Sequence, residues 1–130
     1  MSKILLVEDD QIIRILTRKH LKIWGYDVEE FENGQAAKNY LIESKELPDL
    51  VLTDIMMPIM NGKELASFIK KDQRTKHIPI IAVTALDIVQ FSKENLALFD
   101  HIFTKPLSTQ KLRKKIFEIL NSNGINTKSL

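Results

Sequence analysis

Three acids stand together at Glu8-Asp9-Asp10, a fourth closes the run Leu50-Val51-Leu52-Thr53-Asp54, and a lysine precedes a proline at Lys105-Pro106. Each group follows a short apolar run: Ile4 to Val7, Leu50 to Leu52, and Ile102-Phe103. A further run, Ile80 to Val83, ends in Thr84. Crowded carboxylates repel one another and resist ionising. A hard dication relieves that repulsion. Mg2+ prefers oxygen ligands, uses one or two carboxylates, and keeps waters that a phosphate can displace. Asp9 and Asp54 are the candidate direct ligands, Glu8 the holder of a coordinated water, and the Met56 backbone carbonyl a further position. An aspartate beside Mg2+, a hydroxyl and an ammonium is also a phosphoryl acceptor. Asp54 is therefore the candidate nucleophile. Lys105 is the candidate counter-charge for the phosphoryl oxygens, and Thr84 the hydroxyl that hydrogen-bonds one of them. Pro58 is expected to fix a turn after Asp54, and Gly62 to take an unusual backbone angle.

These residues are far apart in sequence, so the fold must bring them together. Short continuous apolar runs suit strands buried on both faces, as in a parallel sheet. Tyr26 to Phe31 is a weaker strand with Val28 and Phe31 as its apolar points. Helical spacing lies between the runs. Ile12, Ile13, Leu16, Leu21 and Trp24 mark a first helix that Gly25 stops. A second starts at Asn33 or Gly34 and ends before Pro48, carried by Ala36, Ala37, Tyr40 and Leu41. A third runs from about Gly62 through Leu65, Phe68 and Ile69, and a fourth spans roughly Ile88 to Leu98. The fifth has Ser108 as N-cap and carries Leu112, Ile116, Phe117 and Leu120. Five β-α units predict an α/β domain: a (βα)5, flavodoxin-like, five-stranded parallel sheet with helices on both faces, in strand order 2-1-3-4-5. In such a sheet the carboxyl ends of the strands share one edge, where ligands bind. Residues 1–121 are expected to form one domain and 122–130 a polar tail, with no second domain or linker.

Composition narrows the function. The chain has 130 residues, no cysteine, 44% hydrophobic and 28% charged residues, and a net charge of +2. Disulfides, thiolate metal sites and cysteine nucleophiles are excluded. The small net charge does not ask for a nucleic-acid partner. No apolar run reaches the ~20 residues of a membrane helix, and the start lacks a signal-peptide core, so a cytoplasmic location is expected. His20, His77 and His101 are scattered without metal spacing. Met56, Met57 and Met60 read as loop packing rather than a soft-metal site. Asp10 is the acid best suited to be only a helix cap. From Lys105 to the end, six basic residues face one acid, Glu118. A solvated helix face is the plain reading of that run, and a dock for an acidic partner the next. DNA binding ranks last, because no recognition helix is present.

Ile4-Leu5-Leu6-Val7-Glu8-Asp9-Asp10, Asp54-Ile55-Met56-Met57-Pro58 with Asn61-Gly62, Val83-Thr84-Ala85 and Lys105-Pro106-Leu107 together resemble the receiver domain of bacterial two-component response regulators. The resemblance implies a phosphoryl group donated to Asp54 by a histidine kinase or phosphotransfer protein. It makes Glu8 and Asp9 the acidic pair, Thr84 the switch hydroxyl and Lys105 the phosphate-binding lysine. It also implies output through the face of helix four, strand five and helix five. That family often carries Tyr or Phe three residues before the lysine, where this chain has Ile102. Ile102 is thus a second switch position, and strand alternation sends Phe103 to the opposite face. Phe99-Asp100-His101 lacks the glycine-bearing turn often found there.

The expectation is a stand-alone phospho-acceptor switch, a monomer or weak dimer without membrane insertion, and not an enzyme beyond its own phosphorylation and dephosphorylation. The alternatives are a small Mg2+-dependent aspartate-nucleophile phosphatase and a degenerate, phosphate-independent interaction module. Against the first, the acidic pair comes before the central Asp54, and Met56 stands where a second Asp would be. Met56 and Leu86 are expected to shield the phosphoryl group from water and lengthen its life.

Overall fold

The computed structural model describes residues 1–85 and 91–122. Five strands and five helices alternate: β1 (Lys3–Val7), α1 (Gln11–Ile23), β2 (Asp27–Phe31), α2 (Gly34–Glu43), β3 (Leu50–Asp54), α3 (Gly62–Lys71), β4 (Ile80–Thr84), α4 (Lys93–Leu96), β5 (His101–Thr104) and α5 (Thr109–Ser122). The strands are parallel and lie in the order β2-β1-β3-β4-β5.

The strength of each apolar run follows its place in the sheet. β3 and β4 are buried along their whole length, and β1 from Ile4 onward. β2 and β5 are the sheet edges and are only part-buried, which is why their runs are short or interrupted. Alternation divides the inner strands between two cores. Leu5, Val7, Val51, Ile80 and Ala82 pack with Ala37 and Leu41 of α2 and Leu65 and Ile69 of α3. Ile4, Leu6, Leu50, Leu52, Ile81 and Val83 pack with Leu21 of α1 and Leu112 and Ile116 of α5.

Helix ends obey local chemistry. Asp10, Asn33, Asn61 and Ser92 cap α1 to α4, each side chain accepting a backbone N–H of the first turn. Ser108 does the same for α5 through the N–H of Lys111. Gly25 ends α1 with φ 96° and donates its N–H to Lys22, a conformation that favours glycine.

Three expectations change. Ile12, Ile13 and Leu16 are exposed, and Leu21 is the fully buried member of that helix face. The inward side of α1 is instead tied to β2 by charge: Arg14 and Arg18 both pair with Glu30. Phe117 is also exposed, while Leu112 and Ile116 enter the core. The described helix before β5 is the single turn Lys93–Leu96, and the expected stretch over 88–90 lies outside the described residues. α5 ends at Ser122, and residues 123–130 lie outside the described residues.

Candidate metal and phosphoryl-acceptor site

The four chemistry-bearing groups meet because their strands end at one edge. Glu8 directly follows β1, Asp54 closes β3, Thr84 closes β4 and Lys105 directly follows β5. Asp54 lies beside Val83, and Thr84 beside Thr104. Asp54 and Glu8 are each 5% exposed and Thr84 is fully buried, whereas Asp9 faces solvent.

Asp54 is held from two sides. Its Oδ1 accepts the N–H of Ile55 at 2.7 Å and of Met56 at 3.3 Å. Its Oδ2 accepts the Lys105 ammonium at 2.9 Å. Lys105 also lies 3.7 Å from Glu8. The Lys105 backbone N–H donates to the Thr84 carbonyl at 2.8 Å, which ties the lysine to the end of β4. The Lys105-Pro106 peptide is cis.

Electrostatics are unbalanced. Ligand oxygens of Glu8, Asp9 and Asp54 lie within 4.8 Å of one another. The Glu8 carboxyl is pushed up to about 7, by its burial first and by the Asp54 charge second. The Asp10 N–H and Lys105 work in the other direction. Burial also works against the Lys105 charge. The hydrogen bond and charge of Asp54, with help from Glu8, nonetheless keep that ammonium above the ordinary lysine value. Three carboxyl groups thus gather where the Lys105 ammonium pairs with two of them, Asp54 and Glu8. A hard dication fits this donor set, since it would supply the missing positive charge to oxygen ligands.

Supporting residues include several that sequence reading missed. Arg14 donates to the Glu8 carbonyl at 2.8 Å while paired with Glu30, so it anchors the acidic loop to β2. Its signal was weak, since an arginine inside an apolar helical pattern reads as surface charge. Asp10 is a cap, as its type suggested, and accepts the N–H of Ile13.

Gly62 has a role different from the one expected. It does not adopt a positive φ. A Cβ there would lie 2.2 Å from the Asp54 carbonyl oxygen and 2.8 Å from the Ile55 Cα, so glycine is needed for room. The unusual angle belongs to Ile59, with φ 68°, in a tight turn closed by the Met60 N–H on the Pro58 carbonyl. A β-branched residue there is strained. Met57 and Met60 pack on the α2/α3 core, while Met56 is 57% exposed. Leu86, the other expected shield of the acceptor, lies outside the described residues.

Ile102 points into the α2/α3 core, beside a cluster that includes Phe91 and Phe99. Phe103 turns to the opposite core. In place of a glycine-bearing turn, Asp100 clamps the start of β4. Its N–H donates to the Ile80 carbonyl and its Oδ2 accepts the Ile80 N–H.

Comparison with known proteins agrees with this geometry. The chain is 35% identical over 122 residues to Histidine kinase P4 of Formosa agariphila, covering 93% of this chain and 9% of that protein. It is 36% identical over 122 residues to the phosphate regulon transcriptional regulatory protein PhoB of Pseudomonas aeruginosa, covering 93% of this chain and 52% of that one. It therefore spans only part of either relative. The crystal structure of response regulator protein TrrA from Thermotoga maritima, in complex with Mg2+ and BeF, superposes with a TM-score of 0.81 at 31% identity. That likeness covers 92% of this chain and 99% of the other. Among the described residues no helix is long and apolar enough to cross a membrane. The model of the response regulator receiver domain matches residues 4–117, and the chain belongs to that family.

Proposed function

We propose that this chain is a phospho-acceptor switch of a two-component or phosphorelay system, with Asp54 as the acceptor. The observation that carries the reading is the pairing of Asp54 Oδ2 with Lys105 at 2.9 Å inside the Glu8, Asp9 and Asp54 cluster. Oδ1 is engaged by two backbone N–H groups, so Oδ2 is the oxygen offered to a donor. Oδ2 attacks the phosphorus, the bond from phosphorus to the donor imidazole breaks, and its electron pair returns to the ring nitrogen. Lys105 moves from the carboxylate to the incoming oxygens, whose charge it offsets. The Thr84 hydroxyl donates to one of them. Asp9 and Asp54 would hold Mg2+ directly, with Glu8 through water and the Met56 carbonyl alongside. The ion supplies positive charge to the phosphoryl oxygens when bound.

The donor is a histidine kinase or histidine phosphotransfer protein. The output is a protein target on the face of α4, β5 and α5. Thr84 engagement shifts the population of that face, with Ile102 the neighbouring position that must respond. The chain acts at a cytoplasmic site, and its domain spans residues 1–121.

Intact-protein mass spectrometry after incubation with Mg2+ and acetyl phosphate tests the proposal. One phosphoryl addition is expected, lost on adding a chelator and in Asp54→Asn. Addition that survives Asp54→Asn would overturn the assignment. Steady turnover of p-nitrophenyl phosphate would instead indicate a phosphatase.

A further inference from the structure

β5 lies at the edge of the sheet and, among the described residues, pairs with β4 alone. His101 and Phe103 share its α5 side, and their rings meet edge-on with centroids 4.5 Å apart. α5 places Lys111, Lys114 and Lys115 beside them, on one helix face by their spacing. Together these residues line a groove of about 280 Å3, with Glu118 at its end. Glu118 is already paired with Lys115 at 3.2 Å. Lys111 and Lys114 are exposed and have no ion pair among the described residues. The local field is positive, and His101 registers it. Burial first, and the Lys115 charge second, hold its pKa below the ordinary histidine value, with Glu118 opposing.

We propose that this groove docks an acidic, extended protein segment, whose carboxylates pair with Lys111 and Lys114 while an apolar side chain rests on Phe103. An unpartnered strand edge offers main-chain hydrogen bonds to an added strand, and flanking side chains then select its sequence. Charge complementarity favours acid over other chemistry, because the two free ammoniums have no counter-charge of their own. A nucleic acid fits less well. Its affinity comes from many phosphate contacts along a track. This patch covers about two helical turns and ends at a carboxylate. The proposal rests on the reading that the chain signals through protein contacts, but its chemistry is drawn from this groove alone.

The test uses the full chain, isotope-labelled, in NMR titrations with a short synthetic peptide alternating Glu and Phe. A Lys-for-Glu version of the peptide and a short oligothymidylate serve as comparisons. Each titration is run before and after treatment with Mg2+ and acetyl phosphate. Saturable shifts are expected at His101, Phe103, Lys111 and Lys114 with the acidic peptide. Binding should weaken roughly tenfold or more in Lys111→Glu/Lys114→Glu and fall with salt. The same charge change at exposed Lys19 and Lys45 should leave it within about twofold. Absence of saturable shifts in both states would overturn the proposal. So would equal binding of oligothymidylate, or equal loss in Lys19→Glu/Lys45→Glu. Mass spectra of the same samples separate the two readings. Phosphorylated Asp54 without peptide binding refutes the dock alone, and peptide binding with a phosphoryl group carried on a residue other than Asp54 refutes the acceptor reading alone.

Discussion

The inner strands and the edge strand β5 carry different kinds of work. β1, β3 and β4 are buried on both faces and deliver Glu8, Asp54 and Thr84 to one place. Around Asp54 the tolerances are tight: two backbone N–H groups fix one oxygen, and Gly62 leaves no space for a Cβ. β5 is part-buried along His101, Ile102 and Phe103, and its α5 flank is lined by lysines. The lesson is that group-transfer chemistry sits where packing allows one arrangement. The proposed dock sits where side chains can change without disturbing it.

That contrast can be broken by measurement. Ile81→Ala, which empties a fully buried site on β4, should lower unfolding free energy by about 2–5 kcal/mol in urea titrations. A loss near zero would mean that the inner strands are not the rigid half. Gly62→Ala forces its methyl against the Asp54 backbone and should lose about 1–3 kcal/mol. It should also slow phosphoryl uptake, read by mass against time, because the Asp54 carbonyl must shift. Unchanged stability and uptake would show that the β3–α3 loop has room to spare.

Asp10→Ala removes the α1 cap and should lose about 1 kcal/mol while Asp54 is still phosphorylated. Complete loss of phosphorylation would give Asp10 a part in the chemistry. Ile102→Tyr places the aromatic usual in the family on the edge strand. With solvent beside it, the larger ring should change stability by about 1 kcal/mol or less and leave phosphoryl uptake as it was. A large fall in uptake would put β5 among the rigid elements. Ile12→Ser, on the exposed side of α1, should stay within about 0.5 kcal/mol.

The reading of the chain succeeded where local pattern and position coincide. Ile4 to Val7 and Ile80 to Val83 are runs that only a doubly covered strand explains, and both are inner strands. The caps at Asp10, Asn33 and Ser108 act within three residues, so their roles are local. Ile12, Leu16 and Phe117 misled because an apolar periodicity says that a face exists, not that a neighbour covers it. Arg14 and Asp100 were missed because their partners, Glu8 with Glu30 and Ile80, are brought near only by the fold.

By itself the sequence determined the order of elements, the residue types that follow each strand, and hence the oxygen-rich, lysine-bearing edge. These depend on side-chain period and on one general property of parallel sheets, that strand ends of the same sense share an edge. Tertiary structure alone decided which Asp54 oxygen the backbone holds and which one Lys105 pairs with, why Gly62 has no side chain and that Ile59 bears the strain. It also decided that His101 and Phe103 meet three lysines of α5. Each of these is a distance between groups remote in sequence, set by packing that no local pattern encodes.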